Sequence, residues 1–382
     1  MIPAPRIPRP PRPEPSPKAV RRMAFILLLL PAGLPAAAGA DLASIRYNGL
    51  DYVSLDEGAA RLGLRVERLV PPSAILLKDG AKPVARFADR SRETDVKGLR
   101  VFFGDPVVDH GGTYLLSRTD FESHLVPRLR PELCGPPRPV PHVIAVDPGH
   151  GGVDHGTENR ALGSMEKTYT LDVALRLRKL LETAGYAVVM TRETDVDVPK
   201  QIRSEIANQA HADLFVSIHF NSLYPNTKTT GVEVLSFPPH SQRSTNSWSP
   251  GEKDDSQKAD APINAYNAWN TVLSGAMHRR LLDALKNSDR GEKFEHLGVL
   301  RGLKCPGVLV EPAFLSSDSD GARLATPAFR DLVAEAILAG IQDYADVMRR
   351  LNPAAVAPPQ PGAAPASSAP ARSQPTRPAP GP

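Results

Sequence analysis

Cysteine is nearly absent from this chain of 382 residues: there are two, Cys134 and Cys305. A disulfide framework is therefore excluded, and the wide spacing of the two does not decide whether they pair. Long apolar runs are missing as well. The longest, within "MAFILLLLPAGLPAAAGA" at 23–40, is too short to span a bilayer by itself. Nor is there a basic excess in the body of the protein. The net charge is +4, but residues 1–40 hold six bases against one acid and the tail adds Arg372 and Arg377, which leaves −3 for the rest. A mildly acidic body gives no electrostatic case for nucleic acid, which is excluded as a partner. The metallopeptidase signature His-Glu-x-x-His does not occur, and "DPGHGG" lacks the lysine and Ser/Thr of a phosphate-binding P-loop.

What is abundant is proline, and its distribution divides the chain. Ten of the 40 prolines fall in 1–40 and ten in 353–382, segments that need not join any core. Lys18, Arg21 and Arg22 precede the apolar stretch, and small residues ending at Ala40 follow it, the layout of an export signal over 1–40. Export predicts a periplasmic, cell-envelope or extracellular location. Residues 41–130 read as a small α+β module, with "YNGLDYV" echoed by "HGGTYLL" as a loose internal duplication. Residues 131–142 form a proline-rich linker, 143–351 the main domain, and 352–382 a Pro/Ala-rich tail predicted to be disordered.

In 143–351 strands alternate with helices, which predicts an α/β fold with a mainly parallel sheet and helices on both faces. Strands are expected at 143–147, 187–191, 213–219, 231–236, 297–300 and 307–311. Helices are expected at 200–210 and 264–287, with a last helix burying Val333, Ile337, Ile341 and Tyr344. Between 223 and 270 lies a polar insertion, whose composition favours a surface loop.

Two apolar strands end in histidines: "VIAVDPGHGG" delivers His150 and "DLFVSIHFNS" delivers His219. A third, "GVLVEPAF", ends in Glu311, and Glu166 opens the helix that follows the first strand. In an open α/β sheet, ligands bind beyond the carboxyl ends of the strands, so these four groups converge on one edge. Two imidazoles and a carboxylate with one open position suit catalytic zinc, and a second carboxylate suits a general base. The two glutamates could fill these posts in either order. His155 is the nearest rival ligand, while His211, His278 and His296 suit the surface.

The stretches "VDPGHGGVDHGTENRALGSMEKTYTLDVALRLRKLLETAGYAVVMTRETD", "IRSEIANQAHADLFVSIHFNS", "HLGVLRGLKCPGVLVEPAFLSS" and "FRDLVAEAILAGIQDY" resemble the zinc-dependent N-acetylmuramoyl-L-alanine amidases of type 3 over about 143–346. The resemblance implies Zn2+ held by His150, Glu166 and His219, with Glu311 as the catalytic carboxylate. It also implies the substrate, the amide between N-acetylmuramic acid and L-alanine in peptidoglycan, and roles for Arg203, Asn208, Asn221 and Arg301 in shaping the pocket. Pro312-Ala313 departs from the glycine usual after the catalytic glutamate. In some relatives an insert near 223–270 covers the zinc until a partner moves it, so an activator protein is a partner here if this insertion inhibits. A monomer is expected. The module at 41–130 resembles the copper amine oxidase N-terminal-like domain, which implies a structural or wall-binding role and no copper site. Two other readings compete: a non-catalytic wall-binding protein with a relic metal site, and a zinc carboxypeptidase or deacetylase.

Overall fold

The computed structural model describes residues 42–70, 74–245, 255–256 and 260–353. The export-signal region 1–40, the tail from 354 onward and part of the 223–270 insertion lie outside the described residues. No helix among those described is long and apolar enough to cross a membrane.

An eleven-stranded sheet runs in the order Ala187–Met190, Val143–Pro148, Leu214–Ile218, Gly307–Glu311, Val232–Ser236, Asp289–Phe294, Leu99–Phe102, Glu93–Val96, Lys82–Ala88, Ala74–Asp79, Arg65–Leu69. Its first six strands pair in parallel except where Val232–Ser236 meets Gly307–Glu311 antiparallel. Val143–Pro148, Leu214–Ile218 and Gly307–Glu311 are apolar along most of their length because both faces are covered. Ile144, Val146, Val216 and Val310 pack against the helices Glu166–Thr183, Asn267–Leu285 and Pro327–Leu351. Ala145, Phe215 and Leu309 face the other way, onto Ala207 of the helix Lys200–Gln209 and onto Val299 and Leu300. The mainly parallel sheet with helices on both faces is thus observed. Truncating a core contact such as Leu177→Ala in such a layer typically costs about 2–5 kcal/mol.

The last helix buries Val333, Ile337, Ile341 and Tyr344 as its periodicity predicts. One element differs in kind: 297–300, expected as a strand, enters the short helix Gly298–Arg301. Four apolar residues are too few for periodicity to choose between helix and strand. The strand at this point of the sheet is instead Asp289–Phe294, whose polar sequence "DRGEKF" hides it.

The N-terminal residues form two similar hairpins. Ile45–Tyr47 turns through Asn48 and Gly49, both at positive φ, into Leu50–Ser54; Val108–His110 turns through Gly111 and Gly112 into Thr113–Ser117. Left-handed backbone at both central positions matches the strand twist in two-residue hairpins. Each second strand ends in a serine, Ser54 or Ser117, that caps a following helix, and these two strands pair with each other in a four-stranded sheet. From there an antiparallel meander joins the main sheet edge through one registered pair, Glu292 and Val101.

A second tie joins the same parts. The described stretch after Phe237 is not a surface loop: Phe237, Gln242 and Ser244 are buried. The Gln242 Nε2 donates to buried Asp120, and its Oε1 pairs with His124 Nε2 at 2.9 Å. A polar segment can be buried when its hydrogen bonds are met, which composition alone does not reveal. Cys134 and Cys305 are both free thiols.

Candidate active site

Near the end of the strand Val143–Pro148 lies Asp147, which is fully buried and anchors the turn that follows. Its carboxylate accepts from Ser217 Oγ at 2.6 Å, from Thr191 Oγ1, and from Arg203 Nη1 at 2.8 Å. Arg203 continues outward, donating to the carbonyls of Pro148 (2.7 Å), His150 (2.9 Å) and Val198 (2.8 Å). Arg192, also buried, donates to the carbonyls of Pro148, Gly149 and Lys167. Two guanidiniums therefore fix the turn that presents His150, which itself sits at positive φ (60°), a backbone state held only where its surroundings over-determine it. Gly149 is required within this turn, because a Cβ there would lie 2.4 Å from the His219 ring.

Glu166 enters as the first residue of the helix Glu166–Thr183, where the helix dipole favours an anion. Its Oε2 accepts from Thr157 N (2.8 Å) and its Oε1 from Phe220 N (3.0 Å). The same Oε1 lies 3.2 Å from His150 Nε2 and 3.0 Å from His219 Nδ1. Burial pushes this carboxyl up, but the two imidazoles outweigh burial and hold it well below the usual carboxylate range. His150 Nδ1 in turn donates to Asp154 Oδ2 at 2.9 Å, the outer hydrogen bond that orients a ligating histidine.

His150, Glu166 and His219 offer ligand atoms all within 4.8 Å of one another. Zinc with donors about 2.0–2.2 Å away in a tetrahedron sets them about 3.3 Å apart, against the 3.2 and 3.0 Å seen between Glu166 and its two histidines. Among the described residues no other group of three such side chains gathers. The donor set and its spacing fit the metal.

Glu311 stands at the end of the strand Gly307–Glu311, in the same cleft of about 450 Å³ as His150 and His219. Its environment is the reverse of Glu166's. Its Oε2 is buried with no hydrogen-bond partner. Burial first, then the charges of Glu166, Glu233 and Glu295, raise its pKa well above the ordinary glutamate value. Lys200, Leu297 and Val299 complete the walls.

The remaining sequence candidates fall in different places. Arg203 lies beneath the His150 turn and lines the cleft. Asn208 bridges the carbonyl of Gly302 and the amide of Lys304, behind the site. Asn221 donates to Glu233 Oε2 at 2.9 Å and lines a neighbouring cleft. Arg301 lies over the ring of Phe237. His155 pairs with Glu158 at 3.2 Å, outside the triad, so the one His-x-x-Glu spacing in the chain joins two exposed residues to each other. His278 and His296, expected at the surface, are buried against Asp289 and Asp255; a carboxylate partner makes an interior imidazole tolerable. Arg192, Asp154 and Glu295 escaped the sequence reading. Arg192 follows its strand directly in "VVMTRETD", and Asp154 is four residues from His150, so proximity to a strand end was the available signal. The described residues of the insertion beyond Ser236 do not line the cleft.

Residues 144–343 match the family model for N-acetylmuramoyl-L-alanine amidase. The chain is 30% identical to the N-acetylmuramoyl-L-alanine amidase AmiC of Escherichia coli over 76% of this chain and 72% of that protein. It is 32% identical to an uncharacterized cell wall amidase of Bacillus anthracis over 53% of this chain, but spans 35% of that longer protein. The solved structure of the amidase AmiC2 of Nostoc punctiforme aligns at 29% identity over 54% of this chain and 97% of that one, with a TM-score of 0.44.

Proposed function

Because the chain belongs to the N-acetylmuramoyl-L-alanine amidase family, we propose that it cleaves the amide between N-acetylmuramic acid and L-alanine in peptidoglycan, with zinc held by His150, Glu166 and His219. The single observation that carries this reading is the contrast of two carboxylates beside the same histidines: Glu166 accepts two backbone amides and meets both imidazoles, whereas Glu311 keeps one oxygen buried with no hydrogen-bond partner. The first is built to stay ionised and hold a cation. The second is built to exchange a proton.

Zinc, when bound, supplies a Lewis acid that polarises the amide carbonyl and acidifies water. The chain supplies the rest. Arg203 and Arg192 hold the His150 turn rigid, so that substrate meets a preformed edge. Glu311, whose carboxyl is pushed up in pKa by burial and neighbouring carboxylates, takes the proton of the attacking water and delivers it to the leaving nitrogen. No serine, threonine or cysteine is needed as nucleophile. The protein acts as a monomer after export to the cell envelope, in wall remodelling or daughter-cell separation, and the N-terminal hairpins serve a structural or wall-binding part.

Incubating the protein with muropeptides, with and without a chelator, tests this. Metal-dependent release of stem peptide with a free L-alanine amino terminus is expected. Metal-independent binding without products would instead support a wall-binding protein, and loss of only a terminal residue or acetate a different zinc hydrolase.

A further inference from the structure

The row of side chains on Glu311's face of the sheet continues past the cleft. Glu311 is in register with Glu233 on the antiparallel neighbour. The Glu233 carboxylate accepts from Asn221 Nδ2 and from Lys293 Nζ, each at 2.9 Å. Lys293 belongs to the next strand, and the one after it, Leu99–Phe102, brings Arg100 and Phe102 from the N-terminal half. Here a second cleft opens, of about 400 Å³, which Glu233 and Asn221 share with Arg290, Lys293, Arg100 and Phe102.

Three cations line it against one carboxylate, and they are unequally satisfied. Lys293 is paired with Glu233. Arg100 meets Glu93 at the exposed rim, while its Nε is buried with no hydrogen-bond partner. Arg290 makes no ion pair and no hydrogen bond among the described residues, and its guanidinium lies over the Phe314 ring at 5.6 Å. A half-buried guanidinium stacked on an aromatic face, with its donors unspent, suits a planar anion presented to it edge-on. A neutral sugar would leave its charge unmet.

Strands lie about 4.8 Å apart, so Arg290, next to the Gly291 in register with Glu233, is two strand steps and Arg100 three from Glu311, on the order of 10 and 14 Å, and an extended peptide covers that in about three to four residues. We propose that this cleft is a subsite for a carboxylate carried by the stem peptide three to four residues from the cut amide, bound by Arg290 and Arg100. The N-terminal half thereby completes the substrate site. This inference rests on the amidase reading above.

The test compares two soluble substrates on the zinc-loaded full chain: an N-acetylmuramoyl tetrapeptide with free carboxylates and the same compound with its carboxylates amidated. The free acid is expected to have a KM about tenfold lower, as a charge-assisted hydrogen-bonded pair warrants. Arg290→Gln and Arg100→Gln should each shrink that ratio towards one. Direct titration of the metal-free chain with the free and amidated stem peptides gives the same preference without turnover. A wild-type enzyme that cuts and binds both alike overturns the subsite alone, as does an Arg290→Gln variant that keeps the full ratio. A wild-type enzyme that cuts neither, yet binds metal, overturns the amidase reading and the subsite with it.

Discussion

The two sides of the cleft at His150 and Glu311 are finished to different degrees. On the side of His150 and Glu166 nearly every polar group is spent: Asp147 takes three donors, Arg203 and Arg192 give theirs to turn carbonyls, and Glu166 receives two backbone amides and two imidazoles. On the side of Glu311 a carboxylate oxygen is buried with nothing to bind, among three other carboxylates. The first side is a scaffold whose ties set geometry. The second keeps a carboxyl oxygen without a partner and its pKa pushed up, the pattern expected of a group that exchanges protons under the proposed reaction.

If that contrast is real, removing a tie and removing the bare carboxylate should have opposite effects on stability. The largest effect is expected from Arg203→Met, which strands the buried Asp147 charge; denaturant unfolding should show a loss of about 3–5 kcal/mol. Next comes Asp154→Asn, which weakens the orientation of His150. Competition with a chromogenic chelator should give a metal affinity lower by about 10–100-fold, with the fold intact. The smallest effect has the other sign. The raised pKa of Glu311 means that its contribution to stability is full below the ordinary glutamate value of 4.5 and is lost as pH rises through the folded value. In the metal-free protein, Glu311→Gln should therefore match wild type in acid and be more stable than it near neutrality. A metal-free variant that is less stable than wild type at neutral pH would show that Glu311 is a tie like the others.

The same contrast governs what the sequence discloses. His150, His219 and Glu311 are visible because each interrupts an apolar run at a strand end, and Glu166 because it opens a periodic helix. Those signals are local, and the parallel core that positions them follows from the same runs. Arg192 is not visible, since its work is done on backbone carbonyls that only folding brings near, and Asp154 offers only its place four residues after His150 as a signal. The join between the two halves of the sheet rests on Asp289–Phe294, a polar strand paired to Val101 at one register position. Nothing in "DRGEKF" alternates in a way that announces it. Gln242 is hidden for a related reason, because a glutamine in a polar segment is read as solvated until Asp120 and His124 are seen around it.

The division of labour between the two glutamates is tested most directly by measuring bound metal and muropeptide turnover in Glu311→Gln and Glu166→Gln, each purified without chelator. The first should keep one zinc per chain and turn over about 10²–10⁴-fold more slowly, while the second should lose metal and activity together. Full turnover by Glu311→Gln, or undiminished zinc in Glu166→Gln, would contradict the assignment.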